Sequence, residues 1–157
     1  MAFTFVGGQD ASGDYILKSL QGSTIYARSS AVQHVRTRFT IAEVNAGATL
    51  LPAIAGHAYR MVNGAMIAVG GAAAAHTTID IVGTASSSTR KLVAFAVAQT
   101  AENTLLQPGI TGAAILAAGA SYTTNDANTA ITVSKTGNAI TTATHIDILV
   151  SYVIEKV

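Results

Sequence analysis

The chain has 157 residues, 9 Lys or Arg against 8 Asp or Glu, so 11% is charged where roughly a quarter is usual. Half is hydrophobic but only 6% aromatic, the weight lying in 30 Ala, with 20 Thr beside them. A net charge of +1 lacks the clustered cations of a nucleic-acid binder, a half-apolar chain can bury enough surface to escape disorder, and zero Cys excludes disulfides, thiolate zinc sites and cysteine nucleophiles.

The first segment, Met1–Asp10, has neither a basic n-region nor a long apolar run, so no signal peptide is expected. No window holds ~18 uninterrupted apolar residues, so no transmembrane helix is expected and cytoplasmic synthesis follows. Up to His34, turns such as Gly7-Gly8, Ser12-Gly13 and Gly22-Ser23 punctuate short apolar pieces. Met1–His34 reads as an extended arm that packs on another surface. Met1–Thr40 carries four cations and two anions, net +2, and the remainder five and six, net −1.

From Val35 onward the apolar residues alternate with period two. The segments are Val35–Val44, His57–Asn63, Thr77–Val82, Lys91–Ala98, Ala130–Ser134 and a long terminal run from His145. In that last run Ile146, Ile148 and Val150 face one way, and His145, Asp147 and Leu149 the other. Breakers stand between: Asn45–Gly47, Asn63-Gly64, Gly70-Gly71, Gly83–Ser88, Pro108-Gly109, Asn125–Asn128 and Gly137-Asn138. Helical periodicity does not recur, and the Ala-rich pieces Ala72–Ala75 and Ala113–Ala118 are too short for isolated helices. The expectation is an all-β protein with seven or eight strands over 35–157, an antiparallel jelly-roll-like β-sandwich behind an N-terminal arm over 1–34.

Chemistry is sparse. His145 and Asp147 share a strand face ~7 Å apart, and His76 and Asp80 stand four residues apart. Either pair can serve zinc or general-base catalysis only with partners from other strands; otherwise it is a hydrogen-bonded pair. Asn125, Asp126 and Asn128 offer oxygens without the Gly and terminal Glu of a calcium loop, and read as turn-formers. Phosphate-loop, dinucleotide, nucleophile-elbow and zinc-protease motifs are lacking, and no cofactor is expected. The five Tyr are not interleaved with basic residues, which leaves no platform for stacking bases. Arg28, Arg36 and Arg38 are the candidate partner contacts, because arginine's planar fork suits interfaces; the alternative is a solvated face.

Val44–Arg60, Met66–Gly71, Asn125–Val133 and Ala143–Tyr152 together resemble, in their Ala/Thr/Gly-rich strands and long terminal strand, small bacteriophage virion proteins of the capsid decoration, or cement, type. The resemblance spans most of Thr40–Tyr152, omits the arm and transfers no site residues. It implies a non-enzymatic virion component on the capsid surface, assembled in the host cytoplasm, a homo-oligomer (a trimer) that clamps neighbouring subunits of the major capsid protein, with no nucleic acid or membrane partner. The alternatives are a tail or fibre component that binds a host receptor through Gly83–Thr89 and Thr123–Asn128, and a metal-dependent or carbohydrate-active sandwich enzyme using His145/Asp147 or His76/Asp80. Small and hydroxyl side chains fall on outward rows too, so the low charge suits a surface covered by other protein.

Overall fold

The computed structural model describes residues 32–107 and 125–157 in full, and the backbones of three earlier strands. Those strands, β1 (Phe5–Gln9), β2 (Tyr15–Ser19) and β3 (Thr24–Ala27), form one antiparallel sheet in the order β1-β2-β3. They lie in the stretch read as an arm, each on one of its short apolar pieces.

The rest is a sandwich of two antiparallel sheets. The first has the order β4-β10-β6, from β4 (Gln33–Thr40), β10 (His145–Lys156) and β6 (His57–Val69). The second has the order β5-β9-β7-β8, from β5 (Ala48–Leu51), β9 (Ile131–Thr142), β7 (Ala73–Ala85) and β8 (Ser88–Ala96). From β4 the chain passes to the second sheet, back to the first for β6, and again to the second for the β7–β8 hairpin. Residues 102–106 then return as a strap along the edge of β6. Met66 and Leu106 exchange both backbone bonds at 3.0 and 2.9 Å, and Asn103 N donates to Ala68 O at 2.8 Å. The strap covers a sheet edge that would otherwise present unpaired N–H and C=O groups.

The alternating rows meet between the sheets. Phe39, Met66, Ile146, Ile148 and Val150 come from the first; Ile79, Ile81, Val93, Phe95, Ile131 and Val133 from the second. Each such side chain contributes about 1.5–3 kcal/mol through burial. Asn63-Gly64, read as a turn, lies inside β6. A Cβ on Gly64 would stand 2.9 Å from Ile81 Cδ1 and 3.0 Å from Val93 Cγ2, so the glycine marks a close approach of the sheets. Gly137-Asn138 likewise lies inside β9, where Gly137 takes φ 83° at an irregularity opposite His76.

Alternation also fails at Ile41–Ala46, expected to continue a strand to Val44. The segment is a short helix, α1. Thr40 Oγ1 accepts from Glu43 N at 3.3 Å and Glu43 Oε2 accepts from Thr40 N at 2.7 Å, a capping box. The Thr40-x-x-Glu43 spacing that signals it was present in the sequence; the apolar alternation masked it. Val44 is buried beneath the helix, and Asn45 ties it to β9 by accepting from Ile140 N at 2.8 Å. The Ala72–Ala75 piece enters β7 as strand, and Lys91–Ala98 splits into β8 and a 3₁₀ turn at Val97–Gln99. Pro108-Gly109 and Ala113–Ala118 lie outside the described residues.

Gly64→Val would force β6 and the β7–β8 hairpin apart. We expect a loss of about 1–3 kcal/mol, the usual cost of overpacking. Urea denaturation should show a lower midpoint at unchanged slope.

Candidate functional site

β10 is the middle strand of the first sheet, and its outward row is His145, Asp147, Leu149 and Ser151. Register sets Asp147 beside Arg38 and Leu149 beside Arg36 on β4. Both guanidiniums converge on the one carboxylate. Arg38 Nε donates to Asp147 Oδ1 at 2.6 Å and its Nη2 to Oδ2 at 2.9 Å, a bidentate fork, while Arg36 Nη2 donates to Oδ2. Asp147 has no accessible surface, whereas the Arg36 and Arg38 side chains are 58% and 53% exposed. The carboxylate is a buried anchor and the guanidiniums a cationic outer layer. The Arg38 hydrogen bonds, with Arg36 adding to them, hold the Asp147 carboxyl down at about 2 against the desolvation that raises it. The same pairing raises Arg38 above its ordinary value.

Arg28, the third candidate contact, lies outside the described residues. His145 does not join Asp147; its Nδ1 lies 3.0 Å from Thr144 Oγ1. Beside Arg36, between β4, β10, β6 and the end of the strap, opens a cleft of about 280 Å³. Its polar rim is His34, Arg36, Asn63, Gln107 and Ser151, and its apolar floor includes Ala65 and Leu149. His34 Nδ1 is 2.8 Å from Ser151 Oγ.

The outward face of the second sheet holds another cross-strand tie. Lys91 reaches from β8 over β7, its ammonium 2.9 Å from Asp80 Oδ2, and donates to Thr78 Oγ1 at 3.0 Å and Thr136 Oγ1 on β9 at 2.6 Å. Thr136 also donates to Asp80 Oδ2 at 2.7 Å. A one-residue bulge at Leu92 turns Lys91 to this face. His76 and Asp80 are both buried, and His76 Nε2 and Asp80 Oδ1 have no hydrogen-bond partner. Burial lowers the His76 pKa, against the Ala74 carbonyl and the Asp80 charge, which raise it. Among the described residues, no three His, Asp or Glu side chains converge as metal ligands would.

The Asn125–Asn128 oxygens all turn to backbone. Asn125 Oδ1 accepts from Thr84 N at 2.6 Å and Asn128 Oδ1 from Gly56 N at 2.6 Å. The Asp126 carboxylate accepts from Ser86 N at 3.0 Å and Ser87 N at 2.8 Å. Ser86 and Ser87 form the β7–β8 turn, both at positive φ, a conformation that asks for Asn-Gly. Charge-assisted bonds to Asp126 offset that strain. Of the two loops considered for receptor recognition, Gly83–Thr89 is thus clasped by residues 125 and 126 of the other, whose residues 123–124 lie outside the described residues. Tyr59 and Tyr152 pack edge to face at 5.5 Å, with the Tyr59 hydroxyl donating to Pro52 O. Burial raises both phenols.

Sequence periodicity placed Arg36 and Arg38 on one strand face, and Asp147 on the outward row of another. It carried no signal for their convergence, nor for Lys91 and Thr136 meeting Asp80. Comparison of the chain with protein-family models, curated proteins and solved structures returns no match.

Asp147→Asn should cost about 1–3 kcal/mol at neutral pH, because a buried acceptor of charge-assisted bonds is lost. The wild-type stabilisation is full above the ordinary value of 3.8 and drains as pH falls from there through about 2. Allowing for solvent around the guanidiniums, that slope is worth about 1–2 kcal/mol. Denaturant midpoints across acid pH should show it in the wild type and not in the variant. His76 adds a separate loss as pH falls below its ordinary 6.5, since its depressed pKa favours the neutral folded form. His76→Gln should flatten that second slope.

Proposed function

We propose that the chain is a non-enzymatic virion protein that decorates a bacteriophage capsid. It acts as a homo-oligomer, a trimer, and clamps neighbouring subunits of the major capsid protein. The observation that carries this reading is the strand order. The β4-β10-β6 sheet continued by the 102–106 strap, against β5-β9-β7-β8, matches the order that two Greek keys rolled together would give. It supports a jelly roll, an architecture of viral capsid and lectin domains.

A fold alone assigns no activity, so the surface must agree with it. The charges of Asp147, Arg38, Asp80 and Lys91 are engaged in ties within the sheets. Val32, Val62, Val97 and Leu105 stand exposed. Interface cores are depleted in charge in this way. A protein that binds only assembled shell shifts the equilibrium away from rupture, and many copies make modest contacts effective.

Imaging of particles with and without the protein tests the reading. We expect hundreds of copies on the shell and earlier rupture on heating when it is missing. A handful of copies at one vertex would instead favour a tail or fibre. Because β4 begins at Gln33, the cut that spares it removes Met1–Val32. That truncation should keep the cooperative unfolding of the sandwich and weaken shell attachment. Wild-type affinity after truncation would remove the arm from the clamp.

A further inference from the structure

We propose that the cleft beside Arg36 receives a carboxylate side chain from an extended acidic segment of a partner protein. The cleft's chemistry stands on its own residues; only the partner's identity as a shell subunit rests on the decoration reading.

The rim is rich in donors. Arg36 gives one Nη to Asp147, which leaves its other N–H groups on a half-exposed guanidinium. Asn63 Oδ1 is committed to Gly64 N at 2.8 Å, so its NH₂ group is what it can offer a ligand. No Asp or Glu lines the cleft. Asp147, the carboxylate that Arg36 meets, accepts three hydrogen bonds from two guanidiniums and has no surface left. Beside the cleft, the described residues thus set two guanidiniums against one carboxylate.

Shape narrows the ligand. A volume of about 280 Å³ suits one or two side chains, below the roughly 300–1,000 Å³ of small-molecule sites. Ala65 and Leu149 on the floor can cover the methylenes of a glutamate. Arg36 and Arg38 share the outward row of β4, ~7 Å apart by strand rise. An extended segment with acids at alternate positions repeats that distance. One carboxylate would then enter the cleft against Arg36 while the next meets Arg38.

The test uses the full chain and two fluorescein-labelled peptides, Ser-Val-Glu-Thr-Glu-Val-Ser and its Gln-for-Glu counterpart, read by fluorescence anisotropy. The acidic peptide should bind about tenfold or more tightly than the amide peptide, as hydrogen bonds to charged groups allow. Arg36→Gln should lose about the same factor. Its fold is protected, since Arg38 keeps its fork on Asp147. Ser151→Leu, which fills the cleft, should also lose binding at an unchanged thermal midpoint, whereas Arg90→Gln on the other sheet should not. Equal binding of the two peptides, no binding of either, or wild-type binding by Arg36→Gln overturns the proposal. So does displacement of the peptide by N-acetylneuraminic acid or inorganic phosphate at lower concentration than free acidic peptide, which would assign the cleft to a glycan or a phosphate. Shells that bind Arg36→Gln normally would remove the cleft from decoration and leave decoration standing. Peptide binding by a protein absent from shells would do the reverse.

Discussion

The sandwich depends on β10 lying between β4 and β6. Its inward row, Ile146, Ile148 and Val150, fills the space between the sheets, and its outward row places Asp147 under two guanidiniums. Residues 111 and 109 positions apart in the chain meet at that carboxylate. The closure entropy of so long a loop grows only slowly with length, but it must be met before any contact rewards it. Burial of the inward row and charge-assisted bonds on the outward row act together at the same strand.

The second sheet repeats the device with other residues. Asp80 on the inner strand β7 is held by Lys91 from one neighbour and Thr136 from the other. Both sheets thus hold a buried carboxylate at a central strand, reached by long cations from an edge strand. The difference lies in what is left over. Asp147 is saturated, and its arginines retain donors toward solvent. Asp80 keeps one oxygen without a partner, near a buried imidazole in the same condition. The arginine face therefore keeps hydrogen-bond donors beside its adjoining cleft.

Loops bear out how little of the polar inventory stands idle. Asn125, Asp126 and Asn128 could be read as ligand oxygens, yet each receives a backbone N–H. Asp126 in particular holds a Ser-Ser turn in a conformation those residues rarely adopt. Turn signals such as Gly70-Gly71 fell where the chain turns, whereas Asn63-Gly64 and Gly137-Asn138 run through strands. In the strand interiors glycine serves close packing or a local irregularity, and turn statistics do not distinguish these uses.

Alone, the sequence determined the all-β character, the inward rows and the absence of thiol chemistry, because side-chain alternation and composition are local properties. It also carried the Thr40-x-x-Glu43 box of α1, though apolar alternation concealed it. Only the tertiary structure decided which strands are neighbours and in what register. Asp147 lies outside the arginines' stretch of sequence by more than a hundred residues, and a shift of one residue would turn it to the other face. The cleft and the arginine fork follow from that register, which is set by packing between distant segments and has no local signature; the Lys91 tie follows from the β7–β8 hairpin register and the pairing of β7 with β9.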